Sequence, residues 1–388
     1  MRRRAVVGGL CSLSLAGCLR LQGESGGDAE TEGSPPTDSS DGVIPVDGST
    51  TSPQRVVVDE LQLERVRDLS VTLYGSVFER EGSFFGVTDD GLGAVAPDGT
   101  LRWESDPVGE EFFPALSQSI AFASGTVFAG CNNDDRNAAR LYAFDEATGE
   151  QRWVHDTDSE NFLVSGVVAD DRSVFYTSMQ LGSDTNPIVT ALDHEGNTLW
   201  SFSPQFDPIE ALILHDDRLY LSGGRLYAMD RDDPDSLEEQ SAPVGGPLTR
   251  FGDAAFSNSV ARVNLRDASL EWETDVWGEY GSPIRPRVDS DLVVTGTDAG
   301  YVVAVAAESG EIRWETRVDG PVLEVTPTDD YVFVADRNGD FYVLERSDGT
   351  VLHQRSVRDE QGVSIHVATT GTELIFDNDR TVYELVDS

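Results

Sequence analysis

Lysine is absent from this 388-residue chain: all 28 of its basic residues are arginine, and 70 acidic residues oppose them for a formal net charge of −42. So acidic a surface cannot neutralise a phosphate backbone, which excludes nucleic acid as a partner. Cysteine is nearly as scarce, with three residues at 11, 18 and 131. The first two fall in an N-terminal segment of export character, which leaves Cys131 alone and no intramolecular disulfide in the mature protein. The neighbours Asn132, Asn133, Asp134 and Asp135 offer no cation that would stabilise a thiolate at Cys131. The five histidines, at 155, 194, 215, 353 and 366, contain no i,i+4 pair that would suggest zinc. There is no Gly-x-Ser-x-Gly nucleophile elbow and no phosphate loop. No stretch beyond the N-terminal segment sustains a helical period of apolar residues, so the folded part reads as all-β.

What the chain has is a repeat: a hydrophobic strand, an acidic-Gly turn, then a strand with Trp four residues after the Gly. Full copies are Gly99-Thr-Leu-Arg-Trp103, Gly149-Glu-Gln-Arg-Trp153, Gly196-Asn-Thr-Leu-Trp200 and Gly310-Glu-Ile-Arg-Trp314, and Ala268-Ser-Leu-Glu-Trp272 lacks only the Gly. Asp235-Ser-Leu-Glu-Glu239 and Gly349-Thr-Val-Leu-His353 are eroded copies. The Trp-equivalent positions 103, 153, 200, 239, 272, 314 and 353 are separated by 50, 47, 39, 33, 42 and 39 residues. A period of about 40 with four strands per unit is what a β-propeller blade requires. The tryptophans at 103, 153, 200, 272 and 314 are expected to dock neighbouring blades, where an indole buries a large apolar area and its N–H finds a backbone partner. The turn glycines supply a positive φ.

Ahead of the turns stand strands such as Leu141-Tyr-Ala-Phe-Asp145, Val189-Thr-Ala-Leu-Asp193 and Leu226-Tyr-Ala-Met-Asp230. Joined to the turn, the pattern resembles the pyrroloquinoline-quinone-type (PQQ-like) propeller repeat over roughly residues 55 to 388, best in Leu141 to Trp153. That resemblance implies the fold. It does not choose a function, because the fold hosts dehydrogenases, assembly scaffolds and sensor ectodomains.

The last repeat offers three strands, at Ser364–Ala368, Glu373–Phe376 and Thr381–Val386, and Arg55–Arg65 is a strand-like run ahead of the first repeat. Pairing that run with the C-terminal three completes a ring and removes open sheet edges. The expectation is seven turn-motif blades plus one composite, eight in all, with seven as the alternative should Pro243 to Asp275 not form a blade.

At the N-terminus Met1-Arg-Arg-Arg4 is followed by a short apolar core, Ala5 to Leu15, and by Leu15-Ala-Gly-Cys18. A core this short is that of a signal peptide and not of a membrane span. The ending resembles a lipoprotein signal, which implies removal of residues 1–17 and a lipid on Cys18, and Arg3-Arg4 also looks like a twin-arginine export signal beside the general secretory route. Residues 18–54 then read as a lipidated Cys and an acidic tether too poor in large apolar residues to fold, and 55–388 as the propeller. The expected location is the extracytoplasmic face of the cell membrane, as a lipid-anchored monomer.

Losing residues 1–17 takes the charge from −42 to −45. In molar salt the Debye length falls to about 3 Å and most of the self-repulsion is screened. The composition resembles that of extreme halophiles and implies a haloarchaeal source.

Quinone-dependent members of the fold use a catalytic Asp, acidic and amide Ca²⁺ ligands, a Trp platform and often a vicinal cysteine pair. This chain has no Cys-Cys pair. Trp277, the one Trp outside the blade motif, and Tyr280 lie near the entry to an inner strand and are the candidates for ligand binding at the channel face. Asn132–Asn137, Asp230–Asp235 and Asp336–Asp340 hold oxygen ligands that Ca²⁺ accepts, without EF-hand spacing. The architecture is similar to that of the bacterial outer-membrane assembly lipoproteins. The leading expectation is therefore a non-enzymatic, protein-binding scaffold with no cofactor and no catalytic or metal-binding residue. A small PQQ- and Ca²⁺-dependent dehydrogenase, or a surface ligand-sensing module, is the alternative.

Overall fold

The computed structural model describes residues 61–71, 73–88, 91–105, 113–114, 119–132, 139–157, 163–179, 187–205, 209–276, 280–356, 365–367, 373–376 and 381–387. Residues 1–17, read as a signal peptide, Cys18 and the rest of the stretch to 54 read as a tether, and Arg55–Glu60 lie outside these residues.

The strands form eight antiparallel sheets, the blades of an eight-bladed propeller. Blade 1 comprises Tyr74–Arg80, Ser83–Val87, Leu92–Val95 and Leu101–Ser105. Blades 2 to 7 follow in order over 113–156, 163–202, 211–239, 248–273, 287–317 and 322–356. In blade 2 the inner position is shared by Phe113–Pro114 and Ile120–Ala123, both paired with Thr126–Asn132. The segment that left the blade count open is a blade, with strands Leu248–Phe251, Ala254–Ser257, Ala261–Asn264 and Ser269–Glu273. Blade 8 is composite: Ile365–Val367, Glu373–Phe376 and Thr381–Asp387 are completed on the outside by Leu61–Asp68, antiparallel to the C-terminal strand from Leu61↔Asp387 to Asp68↔Thr381. The two ends of the propeller thus share one sheet.

First strands of successive blades touch one another, from Leu163–Ala169 round to Val322–Pro327, so they ring the axis. The middle strands are buried on both faces because each blade is clamped between two others, and accordingly Ser83–Val87 and Val174–Met179 are buried at every position and rich in apolar and aromatic residues, with no polar–apolar alternation. Outer strands alternate, as in Gln151–Asp156. The apolar cores lie between blades: Val294, Val302 and Trp314 of blade 6 pack with Val322, Val334 and Tyr342 of blade 7.

Register explains the sequence motif. Trp103, Trp153, Trp200 and Trp314 each sit opposite an alanine of the third strand, at Ala94, Ala143, Ala191 and Ala304, and next to each pair the register slips by one residue. The small partner makes room and the bulge re-aims the indole outward. Each ring then reaches the next blade, where its Nε1–H donates to a turn carbonyl: Trp103 to Glu146 at 3.0 Å, Trp153 to His194 at 2.8 Å, Trp200 to Arg231 at 3.0 Å, Trp272 to Ala307 at 3.2 Å and Trp314 to Arg346 at 2.8 Å. The ring also covers the turn glycine of that blade. A Cβ on Gly149, which has φ +72°, would lie 2.5 Å from Cδ2 of Trp103. Glycine is required there twice, by conformation and by contact. In blade 4 the register places Glu238, not Glu239, opposite Ala228, because its outer hairpin is shortened to Arg231-Asp232 between the paired Asp230 and Asp233.

Candidate functional site

The axial channel gathers charged side chains that are far apart in sequence. Glu210 immediately precedes the inner strand of blade 4, Ala211–His215, and Arg285 lies two residues ahead of that of blade 6, Arg287–Asp289. Arg285 Nη2 donates to the Glu210 carbonyl at 3.3 Å, joining blades 4 and 6 across blade 5. Thr249 of blade 5 closes the gap with an Oγ1–H bond to the Pro286 carbonyl at 2.7 Å. Arg287 Nη2 then faces Glu324 Oε1 of blade 7 at 3.6 Å.

Glu324 lies among densely packed protein atoms but keeps 30% of its side-chain surface accessible. Burial pushes its carboxyl upward against the opposing pull of Arg287, and does the same to Glu210 against Arg285. Burial, and secondarily the like charge of Arg287, holds the Arg285 guanidinium down at about 10, with Glu210 opposing. Desolvation disfavours the charged form of every member. The cluster is rich in donors and acceptors, loosely paired, and able to hydrogen-bond a polar group entering the channel.

A quinone site of the dehydrogenase type would need several oxygen ligands for Ca²⁺. Among the described residues no group of three or more His, Cys, Asp or Glu side chains is placed to hold a metal ion, and Glu324 is engaged with Arg287. The described channel residues do not fit that group. Trp277 lies outside the described residues. Tyr280 is only 6% exposed; it packs with Val303 and Val305 and meets the Tyr301 ring edge-on at 5.3 Å, the placement of a packing residue. The acidic runs act as turn caps: Asp230 Oδ1 accepts the Asp232 N–H at 2.9 Å, and Asp336 Oδ1 accepts those of Asn338 and Asp340, each at 2.9 Å. Asn133–Asn137 lie outside the described residues. Cys131 is a buried thiol.

Sequence reasoning missed a set of arginine latches between blades. Where blade 4 lacks the turn glycine, Arg231 is almost wholly buried, at 1% side-chain exposure. Its guanidinium grips both carboxylate oxygens of Asp170 in blade 3 and lies 5.2 Å from the Phe175 ring centroid. Burial pushes the Asp170 carboxyl up, but the hydrogen bonds from Arg231 and from the Arg172 and Ser173 N–H groups outweigh it and hold the carboxyl at about 2. In blade 7 Arg346 reaches back in the same way to Asp289 and Asp291 of blade 6, both at 2.8 Å. The signal was an Arg directly after the acidic residue that ends the third strand, in Asp230-Arg231 and Glu345-Arg346.

A curated relative, the outer membrane protein assembly factor BamB of Yersinia pestis, is 32% identical over 89 residues, which span 22% of this chain and only 22% of the relative. Among solved structures, BamB from Moraxella catarrhalis superposes with a TM-score of 0.61 at 15% identity, covering 84% of this chain and 97% of the other. The C-terminal WD40 domain of Sif2 gives 0.62 at 12% identity over 86% and 99% of the two chains. The quinohemoprotein alcohol dehydrogenase ADHIIG of Pseudomonas putida gives 0.58 at 13% over 84% and 73%. At such identities these likenesses show the fold alone. The family comparison goes further, matching residues 88–264 and 256–383, most of the propeller. The chain belongs to the family of PQQ-type propellers described as outer membrane protein assembly factor BamB.

Proposed function

We propose that this chain is a lipid-anchored, extracytoplasmic propeller that binds other proteins through the axial face at the mouth of its channel. The observation that carries the reading is family membership: the family takes its description from an assembly factor, and not from a redox enzyme. The channel cluster agrees with it, since Glu210, Arg285, Arg287 and Glu324 offer polar recognition without a metal-ligand set among the described residues. Cys18 would carry the lipid once residues 1–17 are removed, 18–54 would hold the propeller off the membrane, and each buried CH₂ of the lipid would contribute about 0.8 kcal/mol to anchoring. The role carried over is the scaffold. In an archaeal cell, without an outer membrane, the client would be some other exported protein.

A photo-crosslinking residue at Glu210, on the channel-mouth side, tests this in intact membranes, with Asp171 in the first turn of blade 3, at the opposite end of the sheets, as the control. Discrete protein adducts from position 210 and none from 171 are expected. Equal labelling from both positions, or from neither, would overturn the assignment of this face.

A further inference from the structure

Of the two eroded copies of the repeat, the one in blade 4 borders a cavity of about 370 Å³ between blades 3 and 4. Its walls include Phe202, which ends the outer strand of blade 3, Gln205 just beyond it, and Tyr227, Asp235, Leu237 and Glu239 of blade 4. The outer strand of blade 4, Asp233–Glu239, carries no tryptophan, like that of blade 7, and in blade 4 the outer hairpin is also shortened. The floor is apolar: Tyr227 and Leu237 belong to the cluster built on Phe175, Leu219 and Trp200. The rim is acidic. Tyr227 and Glu239 are cross-strand partners, so that carboxylate stands beside the phenol ring. Glu239 already accepts a guanidinium from the open side, that of Arg225, whose side chain is 67% exposed.

We propose that this groove is a second binding site, separate from the channel mouth, and that it takes an arginine side chain flanked by apolar residues in an extended segment of a partner protein. Two aromatic rings and an apolar floor suit the stem and the flat face of a guanidinium, and two carboxylates suit its N–H edge. The volume is within the range of side-chain and small-ligand pockets. Arg225 holds one of the two carboxylates in the free protein and gives it up to the incoming group. The proposal extends the protein-binding reading but does not use the channel residues, so the two can fail separately.

The probes are the peptide acetyl-Leu-Arg-Leu-amide, its citrulline counterpart, which replaces the guanidinium with a neutral urea of the same shape, and acetyl-arginine-amide. Each is titrated calorimetrically into the full propeller in 1 M NaCl, where general attraction to the acidic surface is screened. The arginine peptide is expected to bind at one site, at least tenfold more tightly than the citrulline peptide. Asp235→Asn with Glu239→Gln should weaken it at least tenfold, and Arg225→Ala should tighten it by removing the competitor. All three positions are exposed, so these variants leave the core intact. Asp171→Asn with Asp232→Asn, with the same change of charge elsewhere, should leave it unchanged. Acetyl-arginine-amide binding as tightly as the peptide would replace a protein segment with a small guanidinium compound as the ligand. Equal affinity for the citrulline peptide, or equal loss in the control pair, would overturn the site. Arg285→Ala in the channel should not move any of these values.

Discussion

Replacing Arg231 with alanine should be among the most damaging single changes to a charged residue in this protein. The side chain is 1% exposed and its guanidinium is shared between Asp170, 28% exposed, and the face of Phe175. Removing it leaves a carboxylate facing a desolvated hole at the junction of blades 3 and 4. Breaking a buried pair from one side costs about 3–5 kcal/mol, part of which is a desolvated cation–π contact of about 2 kcal/mol. Arg172, two positions after Asp170, is the internal control, because it pairs with Asp217 at 2.7 Å and Asp232 at 3.1 Å with side chains 51%, 74% and 63% exposed. Solvent screens exposed pairs of that kind, so the loss of one costs little. Urea unfolding in molar salt reads both variants, through the midpoint at constant m. Adding Asp170→Ala to Arg231→Ala should recover part of the loss, since the orphaned charge goes with it, and the double-mutant cycle should show a coupling above about 1 kcal/mol. If Arg231→Ala costs no more than Arg172→Ala, or the two losses simply add, the latch does not hold the blades together as argued.

Three further outcomes follow from the geometry. Gly149→Ala should cost more than Gly125→Ala: both have positive φ, but an added Cβ meets the Trp103 ring at 2.5 Å in the first and nothing within 4 Å in the second, where only the backbone penalty of about 1–2 kcal/mol applies. Thermal unfolding of the two variants decides it. With its carboxyl held at about 2 against an ordinary 3.8, Asp170 contributes stability that is complete above about pH 4 and is lost as the pH falls through about 2. An Asp170→Asn variant should therefore show a flatter stability profile than the parent between pH 4 and 2 in urea titrations at stepped pH. Deleting residues 61–68 bares the paired edge of Thr381–Asp387 and should give a propeller that associates or unfolds, visible by light scattering.

The blades were legible because their marker is local. Trp, the residue opposite it and the turn glycine all fall within one hairpin; around Ala268–Trp272 the glycine is missing and Arg262 replaces the alanine opposite Trp272, which is why that segment left the count between seven and eight. Ring closure was legible from the missing fourth strand: the closing strand is described over Leu61–Asp68, overlapping the run read at Arg55–Arg65, whose first six residues lie outside the described residues. The latches were not, because Arg231 and Asp170 are 61 positions apart and either residue alone looks like one more surface charge in an acidic chain. The channel was hidden for the same reason. Arg285 and Glu210 are 75 positions apart, and what brings them together is the stagger of inner strands that carry no motif. Tyr280 drew notice as an aromatic beside Trp277, but alternation along a strand entry does not say which ring the core absorbs.

A propeller of quinoprotein shape that is proposed to bind proteins should not take up the quinone. The most direct test is a calorimetric and absorbance titration of the folded, mature propeller with PQQ and Ca²⁺ in molar salt. The account predicts no saturable quinone binding. One-to-one binding followed by dye reduction with alcohols or sugars would contradict it and make the chain an oxidoreductase.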